Sequence, residues 1–157
     1  MESPVGKLLL AADDAGLRQL AFAEHAKPHA DWREDPAPLR EIMGQLRRFF
    51  AGELRDFDVK LAPEGPDFHR RVWRELCNIP YGETISYGEL ARRVGSPNAS
   101  RAVGRANGAN PIAIVIPCHR VIGSNGKLTG YGGGLPRKEF LLALERKQMS
   151  LVMTSGA

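Results

Sequence analysis

The sequence is poor in cysteine and histidine, and this scarcity excludes several kinds of site. It has two cysteines, Cys77 and Cys118, and no Cys-x-x-Cys pair. Two thiols cannot form the disulfide framework of a small secreted domain, and such usage is typical of the reducing cytoplasm, where we expect the protein to act. The four histidines lack the spacing of a zinc site. We therefore expect no metal, and no cofactor is indicated.

Long apolar runs are also missing. No run approaches the roughly 18 residues that a membrane-spanning helix needs. The first ten residues start acidic and contain only a short apolar run, so we expect no signal peptide. With 43% hydrophobic and 25% charged residues over 157 positions, the composition indicates one or two globular domains that do not associate with a membrane.

Positive charge is unevenly distributed along the chain. Residues 1–65 hold 9 basic and 12 acidic side chains, whereas residues 66–157 hold 13 basic and 6 acidic ones. A basic half favours a polyanionic partner, and nucleic acid is the leading candidate. Scattered surface arginines on an ordinary basic enzyme would give the same totals, so the position of the arginines has to decide between the two.

The first part of the chain has the pattern of a small α+β unit. Residues 7–12 and 17–23 are predicted to be two strands around a turn at residues 13–16. Apolar residues at helical spacing predict a helix over 39–50, and alternation over 54–61 predicts another strand. A proline- and glycine-rich segment follows. We therefore expect an amino-terminal α+β domain at residues 1–63 and a second domain at residues 64–157.

The second domain is predicted to be mostly helical. Apolar residues from Phe68 to Cys77 share one helix face, which places Cys77 in the core as a structural residue. The last predicted helix opens with Pro136 and carries Glu145 at the border of its apolar face. A carboxylate there is either solvent-facing or partnered, and an imidazolium would be a suitable partner.

Two short helices lie between these, joined by a tight turn. Ser86 followed three residues later by Glu89 forms a capping box that starts the first helix, which stops at Gly95. Ser96 and Pro97 are predicted to start the second helix, as its cap and first helical residue. This is the helix-turn-helix arrangement, although many helical proteins contain such a corner.

Small residues dominate the second helix of this pair. A recognition helix for the major groove normally presents several long polar side chains, whereas this helix has Ala and Gly around Arg101 and Arg105. Small residues permit close backbone approach to a narrow surface such as the minor groove, into which an arginine near the helix start could insert. Tight packing inside the protein favours the same residues, so this alternative stays open.

An apolar run over residues 112–116 leads to Cys118 and His119. Such a run is typical of a buried strand. A thiolate is the strongest side-chain nucleophile, and a nearby imidazole is the usual means of generating one, so the pair is a candidate catalytic site with a lowered thiol pKa. A small buried hydrophobic role for Cys118 is the alternative. Because strand neighbours point to opposite faces, the two groups need a turn or a bridging water to exchange a proton.

A thiol, an imidazole and the Glu145 carboxylate would supply a nucleophile, a base and an orienting group. Beside a DNA-binding helix pair, a soft thiolate suits attack on an alkyl carbon. The thioether has no easy route to release that group, so each molecule would react once. Downstream, the glycine-rich segment around Tyr131 lacks a nucleotide-binding fingerprint. It suits a pocket wall against a flat ring, and a flexible loop is equally consistent.

Residues 110–121, with Pro117-Cys118-His119-Arg120 at their centre and Tyr131 and three glycines downstream, resemble the signature of O6-alkylguanine-DNA alkyltransferases. The resemblance covers roughly residues 66–147, with a weaker but compatible amino-terminal part. It implies an α/β two-domain fold, in which a mostly helical second domain has a helix-turn-helix and a short buried strand that carries the nucleophile. It also implies DNA repair by irreversible, stoichiometric transfer of an alkyl group to Cys118 from O6 of guanine, or more slowly from O4 of thymine.

The resemblance implies a role for each matching residue. His119 acts through a water as the base, Glu145 stabilises the imidazolium, and Asn110 braces the turn before the strand. Tyr87 rotates the target phosphate and helps to protonate the departing guanine, while Arg101 fills the gap left by the flipped base. The residues expected to contact DNA are Tyr87, Ala99, Ser100, Arg101, Ala102 and Gly104. The residues expected to form the base pocket are Val121, Tyr131, Gly132 and Gly133, with the main-chain carbonyls of Cys118 and Val121.

Several positions depart from the pattern of the family. Gly132 lacks the hydroxyl that some members use to bond O6. Gly133 lacks the bulky residue of some bacterial members, which implies room for larger alkyl groups or benzylguanine-type inhibitors. Asn107 and Gly108 replace bulkier residues beside the arginine finger. The cysteines of the structural zinc found in some members are missing.

Other functions remain to be compared with this one. A non-catalytic protein that binds alkyl lesions is the nearest alternative, but such relatives have another residue at the nucleophile position. A cysteine hydrolase would use the same three side chains, but it would turn over and would need neither the helix pair nor Arg101. A methylation-sensing transcription factor would need a further domain. We expect a monomer whose partner is double-stranded DNA with alkylated guanine or thymine, and side-by-side binding of several molecules is left open.

Overall fold

The computed structural model describes residues 1–155, with the side chains of its last helix described as far as Met149. Its helices and strands are β1 (Leu8–Asp13), β2 (Gly16–Phe22), α1 (Arg40–Phe50), α2 (Asp67–Leu76), β3 (Ile85–Ser86), α3 (Tyr87–Arg93), α4 (Ser100–Gly108), β4 (Val121–Ile122) and α5 (Leu135–Ser155). Three short 3₁₀ turns cover Ala23–His25, Ala37–Leu39 and Cys118–Arg120. Among the described residues, no helix combines the length and the apolar character needed to cross a bilayer.

The first two strands form the antiparallel hairpin that the alternation predicts. Leu8 lies opposite Phe22, and a bulge between Ala11 and Ala12 shifts the register near the turn. Along β2 the buried side chains include Leu17, Leu20 and Phe22, which face the core. The predicted helix over 39–50 is also present, as α1. The two-domain α/β fold class is thereby confirmed.

The strand predicted over residues 54–61 is wrong. Only Leu61 makes a strand-like bridge, to Leu17 of β2. Before it, the Gln45 side chain on α1 donates from Nε2 to the Asp58 carbonyl at 2.8 Å and accepts from the Asp58 N–H at 2.9 Å. A side-chain amide therefore satisfies this backbone, which needs no partner strand.

The helical half packs α4 against α2 and α3. The indole Nε1 of Trp73 on α2 donates to the carbonyl of Ala106 at 2.8 Å, and Val103 and Ala106 are fully buried. Ser86 caps α3 by accepting the Glu89 N–H at 3.0 Å, as predicted. The α4 helix begins at Ser100 rather than at Ser96.

This later start has a local cause. Ser96 donates its N–H to the Ala91 carbonyl at the end of α3 and accepts the Ala99 N–H. Residues 96–99 therefore form the turn between the two helices. The prediction for Cys77 is also wrong, because Cys77 is exposed. It is the residue after the last turn of α2, at the edge of the apolar stripe.

The apolar run over residues 112–116 is buried, but it is not the predicted strand. Only Ile112 makes a bridge, to Leu20 of β2. Asn110 holds the segment as a compact turn by donating to the Ile116 carbonyl at 2.8 Å and accepting the Ile112 N–H at 3.0 Å. Ile114 adopts a left-handed conformation with φ of 73°, which is rare for a β-branched residue. Cys118, the predicted nucleophile, is therefore presented by a turn.

Strands β3 and β4 form a two-stranded parallel pair, in which Ile85 lies beside Val121. This pairing joins the start of α3 to the chain just after the Cys118–Arg120 turn. It brings Tyr87, the first residue of α3, alongside the segment that carries Cys118.

Candidate functional site

Cys118 is the first residue of the 3₁₀ turn, and it is 6% exposed. Its side chain lies in the wall of a cavity of about 370 Å³, which is also lined by Asn110, Tyr131 and Gly132. Cavities of this size are typical of small-molecule sites. The thiol is therefore placed to meet a group that enters the cavity.

A buried charge cluster lies next to the thiol in the chain. His119 is fully buried, and its Nε2 lies 2.8 Å from Oε2 of Glu145 on α5. Arg120 donates to both oxygens of the same carboxylate, from Nε and Nη2, at 2.9 Å each. Its Nη1 donates to the Ile79 carbonyl at 2.7 Å, and the Gly82 N–H donates to Glu145 at 3.2 Å. The structure thus joins His119 to Glu145 and adds Arg120, which the sequence pattern did not single out.

Burial controls the protonation of these groups. Burial opposes ionisation of Glu145, but the hydrogen bonds and charges of His119 and Arg120 outweigh it and lower the pKa of Glu145 to about 2. Burial lowers the pKa of His119 below its usual 6.5, against the opposing effect of Glu145. Burial also raises the pKa of the Cys118 thiol, although the Asn110 amide and the Lys138 ammonium oppose it. The resting pair is a thiol and a neutral imidazole, and the expected lowering of the thiol pKa is not found.

The tautomer of His119 follows from its partner. An ionised carboxylate only accepts, so the Nε2 of His119 carries the hydrogen and Nδ1 carries the lone pair. In the part of the chain that the structure describes, this buried Nδ1 has no hydrogen-bond partner. A neutral imidazole with a free basic nitrogen can accept a proton.

Two asparagines hold the turn that carries Cys118. The side chain of Asn110 braces the residues before Cys118, as described above, and hydrogen-bonds the thiol in the sense that lowers its pKa. Asn107 on α4 is buried and donates from Nδ2 to the Cys118 carbonyl at 3.4 Å. The sequence places Asn107 only beside the arginine finger, because its contact with this turn depends on how α4 packs.

A buried lysine organises the other side of the cavity. Lys138 on α5 is fully buried, and its Nζ donates to the carbonyls of Val121, Thr129 and Gly130 at 2.6, 2.9 and 3.3 Å. The Tyr87 hydroxyl donates to the same Thr129 carbonyl at 3.2 Å. Lys138 and Tyr87 thus fix the loop that leads to the pocket, and the Val121 carbonyl assigned to base binding already accepts a hydrogen bond.

The glycine-rich segment forms one wall of the cavity. Tyr131, Gly132 and Gly133 all line it, and the Tyr131 hydroxyl is buried without a partner among the described residues. Burial, and then the nearby Cys118, raise the pKa of Tyr131 well above its ordinary value. The free space expected beside Gly133 is not there, because a Cβ at Gly133 would overlap the ring of Phe22 from β2.

The start of α4 forms an exposed face apart from the cavity. Arg101 and Ser100 are exposed, and Arg105 is exposed one turn later. Ala99, Ala102 and Gly104 are half-buried, and nothing but the Tyr87 ring, at 3.9 Å, approaches the position of a Cβ at Gly104. The buried side of α4 explains part of its small-residue content, and the exposed side leaves a surface with little relief around two arginines.

The structure gives no second kind of centre within the described residues. No group of three His, Cys, Asp or Glu side chains there is arranged to hold a metal ion. The functional groups that sequence reasoning missed are Phe22, Asn107, Arg120 and Lys138. Arginine and lysine normally mark a surface, so the sequence carries no signal that these two are buried.

Comparison with known proteins gives consistent matches. Residues 1–63 match the family described as 6-O-methylguanine DNA methyltransferase, ribonuclease-like domain, and residues 67–147 match its DNA binding domain. The methylated-DNA–protein-cysteine methyltransferase of Methanosarcina acetivorans is 57% identical over 147 residues, which are 92% of this chain and 94% of that protein. The Mycolicibacterium paratuberculosis protein of the same name is 53% identical over 98% of this chain and 94% of its own length.

Solved structures agree with these matches. The crystal structure of Mycobacterium tuberculosis OGT in complex with DNA is similar with a TM-score of 0.90 and 52% identity, over 94% of this chain and 91% of that chain. An O6-methylguanine DNA methyltransferase from Methanococcus jannaschii is similar with a TM-score of 0.65 and 26% identity, over 88% and 87% of the two chains.

Proposed function

Because the chain belongs to the 6-O-methylguanine DNA methyltransferase family, we infer that it repairs DNA by transferring an alkyl group from damaged guanine to one of its own cysteines. Its partner is DNA that contains alkylated guanine. The protein is both the catalyst and the acceptor, so each molecule acts once.

Cys118 is the acceptor that we propose. The observation that carries this assignment is its position in the cavity wall, directly before a buried histidine that Glu145 orients. The other cysteine, Cys77, is exposed just after the end of α2 and is not among the residues that line the cavity. A thiol in the wall of a cavity and beside a base suits attack on a small alkyl carbon.

The transfer begins with the thiol proton. His119 donates Nε2–H to Glu145, which leaves Nδ1 free to accept this proton through a bridging water. As Sγ of Cys118 forms its bond to the alkyl carbon, the bond between that carbon and O6 breaks and its electron pair remains on guanine. The Tyr87 hydroxyl gives one proton to the guanine, and the proton that His119 took from the thiol replaces it on Tyr87 through solvent. The net change is the movement of the thiol proton to guanine. The products are a thioether and an unmodified guanine.

Base flipping brings the lesion to the thiol. A base within the duplex cannot reach a buried side chain, and extrusion costs a few kcal/mol, less for a base that pairs poorly. We propose that the Ala99–Gly104 face of α4 enters the minor groove and that Arg101 fills the gap left by the base. The exposure of Arg101 and the low relief around it support this docking. Val121, Tyr131, Gly132 and Gly133 would receive the base, and O4-alkylthymine would react less well.

Mass spectrometry tests this assignment. The protein is mixed with duplex DNA that contains one O6-methylguanine, and its peptides are analysed. We expect a gain of one CH₂ on the Cys118 peptide that saturates at one per molecule, no gain in Cys118→Ser, and a normal gain in the matched control Cys77→Ser. Saturable, lesion-preferring binding without any gain would contradict the transfer and favour the alternative of a non-catalytic lesion-binding protein.

We also propose finer features that follow from this function. The chain divides into an amino-terminal α+β domain at residues 1–63 and the DNA-binding and catalytic domain at residues 64–157. It acts as a monomer in the cytoplasm, where a reducing environment keeps a reactive thiol available. Gel filtration coupled to light scattering tests the oligomeric state, and fractionation of the cell tests the location.

A further inference from the structure

The amino-terminal half supplies one whole wall of the reaction cavity. Besides Cys118 and the glycine-rich loop, the cavity is lined by side chains of β2 and of the turn after it. These residues are Gln19, Leu20, Ala21, Phe22, His25, Ala26 and Lys27. The role of this half therefore extends beyond support of the fold.

Phe22 is the large apolar member of this wall. It is 5% exposed, and its ring packs edge-to-face on Tyr131 with the ring centroids 6.0 Å apart and an interplanar angle of 66°. The ring also occupies the place where any side chain at Gly133 would project. The absence of a side chain at Gly133 thus accommodates Phe22 instead of enlarging the cavity.

Arg137 fixes the ring against the loop. Its guanidinium lies over the Phe22 ring at 4.4 Å from the centroid. Its Nε donates to the Val5 carbonyl at 2.7 Å, and its Nη1 bonds Glu24 and the Gly133 carbonyl. One side chain of α5 therefore ties the loop to the hairpin and holds Phe22 in place.

The wall is also fixed relative to the nucleophile. The Leu20 N–H donates to the Pro111 carbonyl at 2.9 Å, and the Ala113 N–H donates to the Leu20 carbonyl at 2.9 Å. Phe22 lies two residues beyond Leu20 on the same face of β2, so these bonds hold its main chain beside the segment that leads to Cys118. The ring itself is held by its contacts with Tyr131 and Arg137.

We propose that Phe22 is a specificity-determining residue that limits the size of the alkyl group accepted by Cys118. This inference rests on the proposed transfer to Cys118 and names what bounds its substrate. A methyl group adds little volume beside the base, whereas a benzyl group adds an aromatic ring that would meet the wall to which Phe22 belongs. Apolar pockets discriminate by roughly 10- to 200-fold per methylene group that they exclude or lack.

Paired transfer rates test the proposal. Single-turnover rate constants are measured with two duplexes of one sequence that contain either O6-methylguanine or O6-benzylguanine. We expect the benzyl-to-methyl ratio of Phe22→Ala to be at least about tenfold above that of the wild type. Phe50→Ala is the matched control, because it removes the same side chain from a partly buried site against Phe49 on α1, away from the cavity lining. Its ratio is expected to stay within about twofold of the wild type.

A double-mutant cycle tests the contact itself. Gly133→Ala alone is expected to slow methyl transfer, because its Cβ overlaps the Phe22 ring. In the Phe22→Ala background the same change is expected to be nearly neutral, since the overlapping ring is gone. An unchanged ratio in Phe22→Ala, an equal rise in Phe50→Ala, or additive effects in the cycle would each overturn the proposal. Failure of the wild type to alkylate Cys118 with either lesion would instead reject the proposed function.

Discussion

His119 and Arg120 share the carboxylate of Glu145, and the balance of charge among these three side chains decides whether the base is available. Arg120 contacts both oxygens, whereas His119 contacts only Oε2. The guanidinium compensates the carboxylate, so burial keeps the imidazole neutral. Before substrate binds, a neutral His119 imidazole therefore lies next in the chain to a protonated Cys118 thiol.

The pH dependence of alkyl transfer should report this lowered His119 pKa. A lower pKa keeps the imidazole neutral to a lower pH, so we expect the transfer rate to hold from pH 8 to 6.5 and to fall only below 6.5. Single-turnover rates between pH 5 and 8 provide the measurement.

The variant Glu145→Gln serves as the comparison. Without the carboxylate, the factor that raises the His119 pKa is lost, so the acid limb should move to still lower pH while the rate at pH 7.5 falls by about 100-fold for lack of orientation. An acid limb at or above pH 6.5 in the wild type would contradict the assignment of His119 as a base that is neutral at rest.

Arg120 also affects stability. Arg120→Met leaves the buried Glu145 without its bidentate partner, and loss of one partner of a buried ion pair typically costs about 3–5 kcal/mol of the free energy of unfolding. Arg146→Met, an exposed change on the same helix, should stay within about 0.5 kcal/mol. Urea denaturation gives both values, and equal effects of the two changes would show that the Arg120 pairing contributes no net stability.

At the scale of elements, α4 has two faces with different duties. Val103 and Ala106 pack on α2, and Asn107 reaches the turn that carries Cys118. Arg101 and Gly104 lie on the other side of the helix, toward solvent. One side of this short helix therefore supports Cys118, and the other side is proposed to contact DNA. Small residues serve both purposes, which is why the sequence alone left the two explanations open.

Gly104→Leu should separate these two duties. A Cβ at Gly104 meets only the Tyr87 ring at an ordinary distance of 3.9 Å, and leucine favours helix over glycine by about 0.8 kcal/mol. We therefore expect unchanged or higher stability, but at least about tenfold weaker binding of lesion-containing DNA because the bulk blocks groove approach. Fluorescence anisotropy and thermal unfolding measure the two effects, and unaltered affinity would argue against docking through this face.

Elements with a regular period are the part of the fold that sequence predicts well. The alternation of β2 and the apolar stripes of α1 and α2 are each read within one helix or strand. The segments at 54–61 and 112–116 are predicted wrongly because a side-chain amide, from Gln45 in the first and from the neighbouring Asn110 in the second, bonds backbone that would otherwise need a partner strand. Hydrogen bonds of this kind leave no periodic pattern in the sequence.

The site divides in the same way. Cys118 and His119 are adjacent in the sequence, and Glu145 follows from the edge of an apolar stripe. Arg120 and Phe22 could not be assigned, because their roles depend on how α5 and the hairpin pack around the cavity. The reactive side chains that are close in the sequence are therefore predicted. The residues that set their pKa values, and those proposed to limit the size of the alkyl group, are not.

At the scale of the whole molecule, buried ionisable groups make stability depend on pH. His119 and Glu145 both have lowered pKa values in the folded protein, so the unfolded chain binds more protons below their ordinary values and stability is lost as the pH falls. We expect the free energy of unfolding to decline from pH 6.5 downward and more steeply between about 4.5 and 2, where Glu145 contributes. Urea denaturation at several pH values checks this, and a constant value from pH 7 to 4 would contradict the burial of both groups.

The two hydrogen bonds of Leu20 bear on how this architecture tolerates change by recombination. Both are made by its main chain, to Pro111 and Ala113, and no side-chain identity is needed to form them. A hairpin from a divergent protein is therefore expected to hold the turn that carries Cys118, provided that its backbone is extended at this position and its buried side chains fill the same core. What such a graft would bring with it is a new residue in place of Phe22, so the exchange of one hairpin would alter the range of lesions repaired while the chemistry at Cys118 stayed the same.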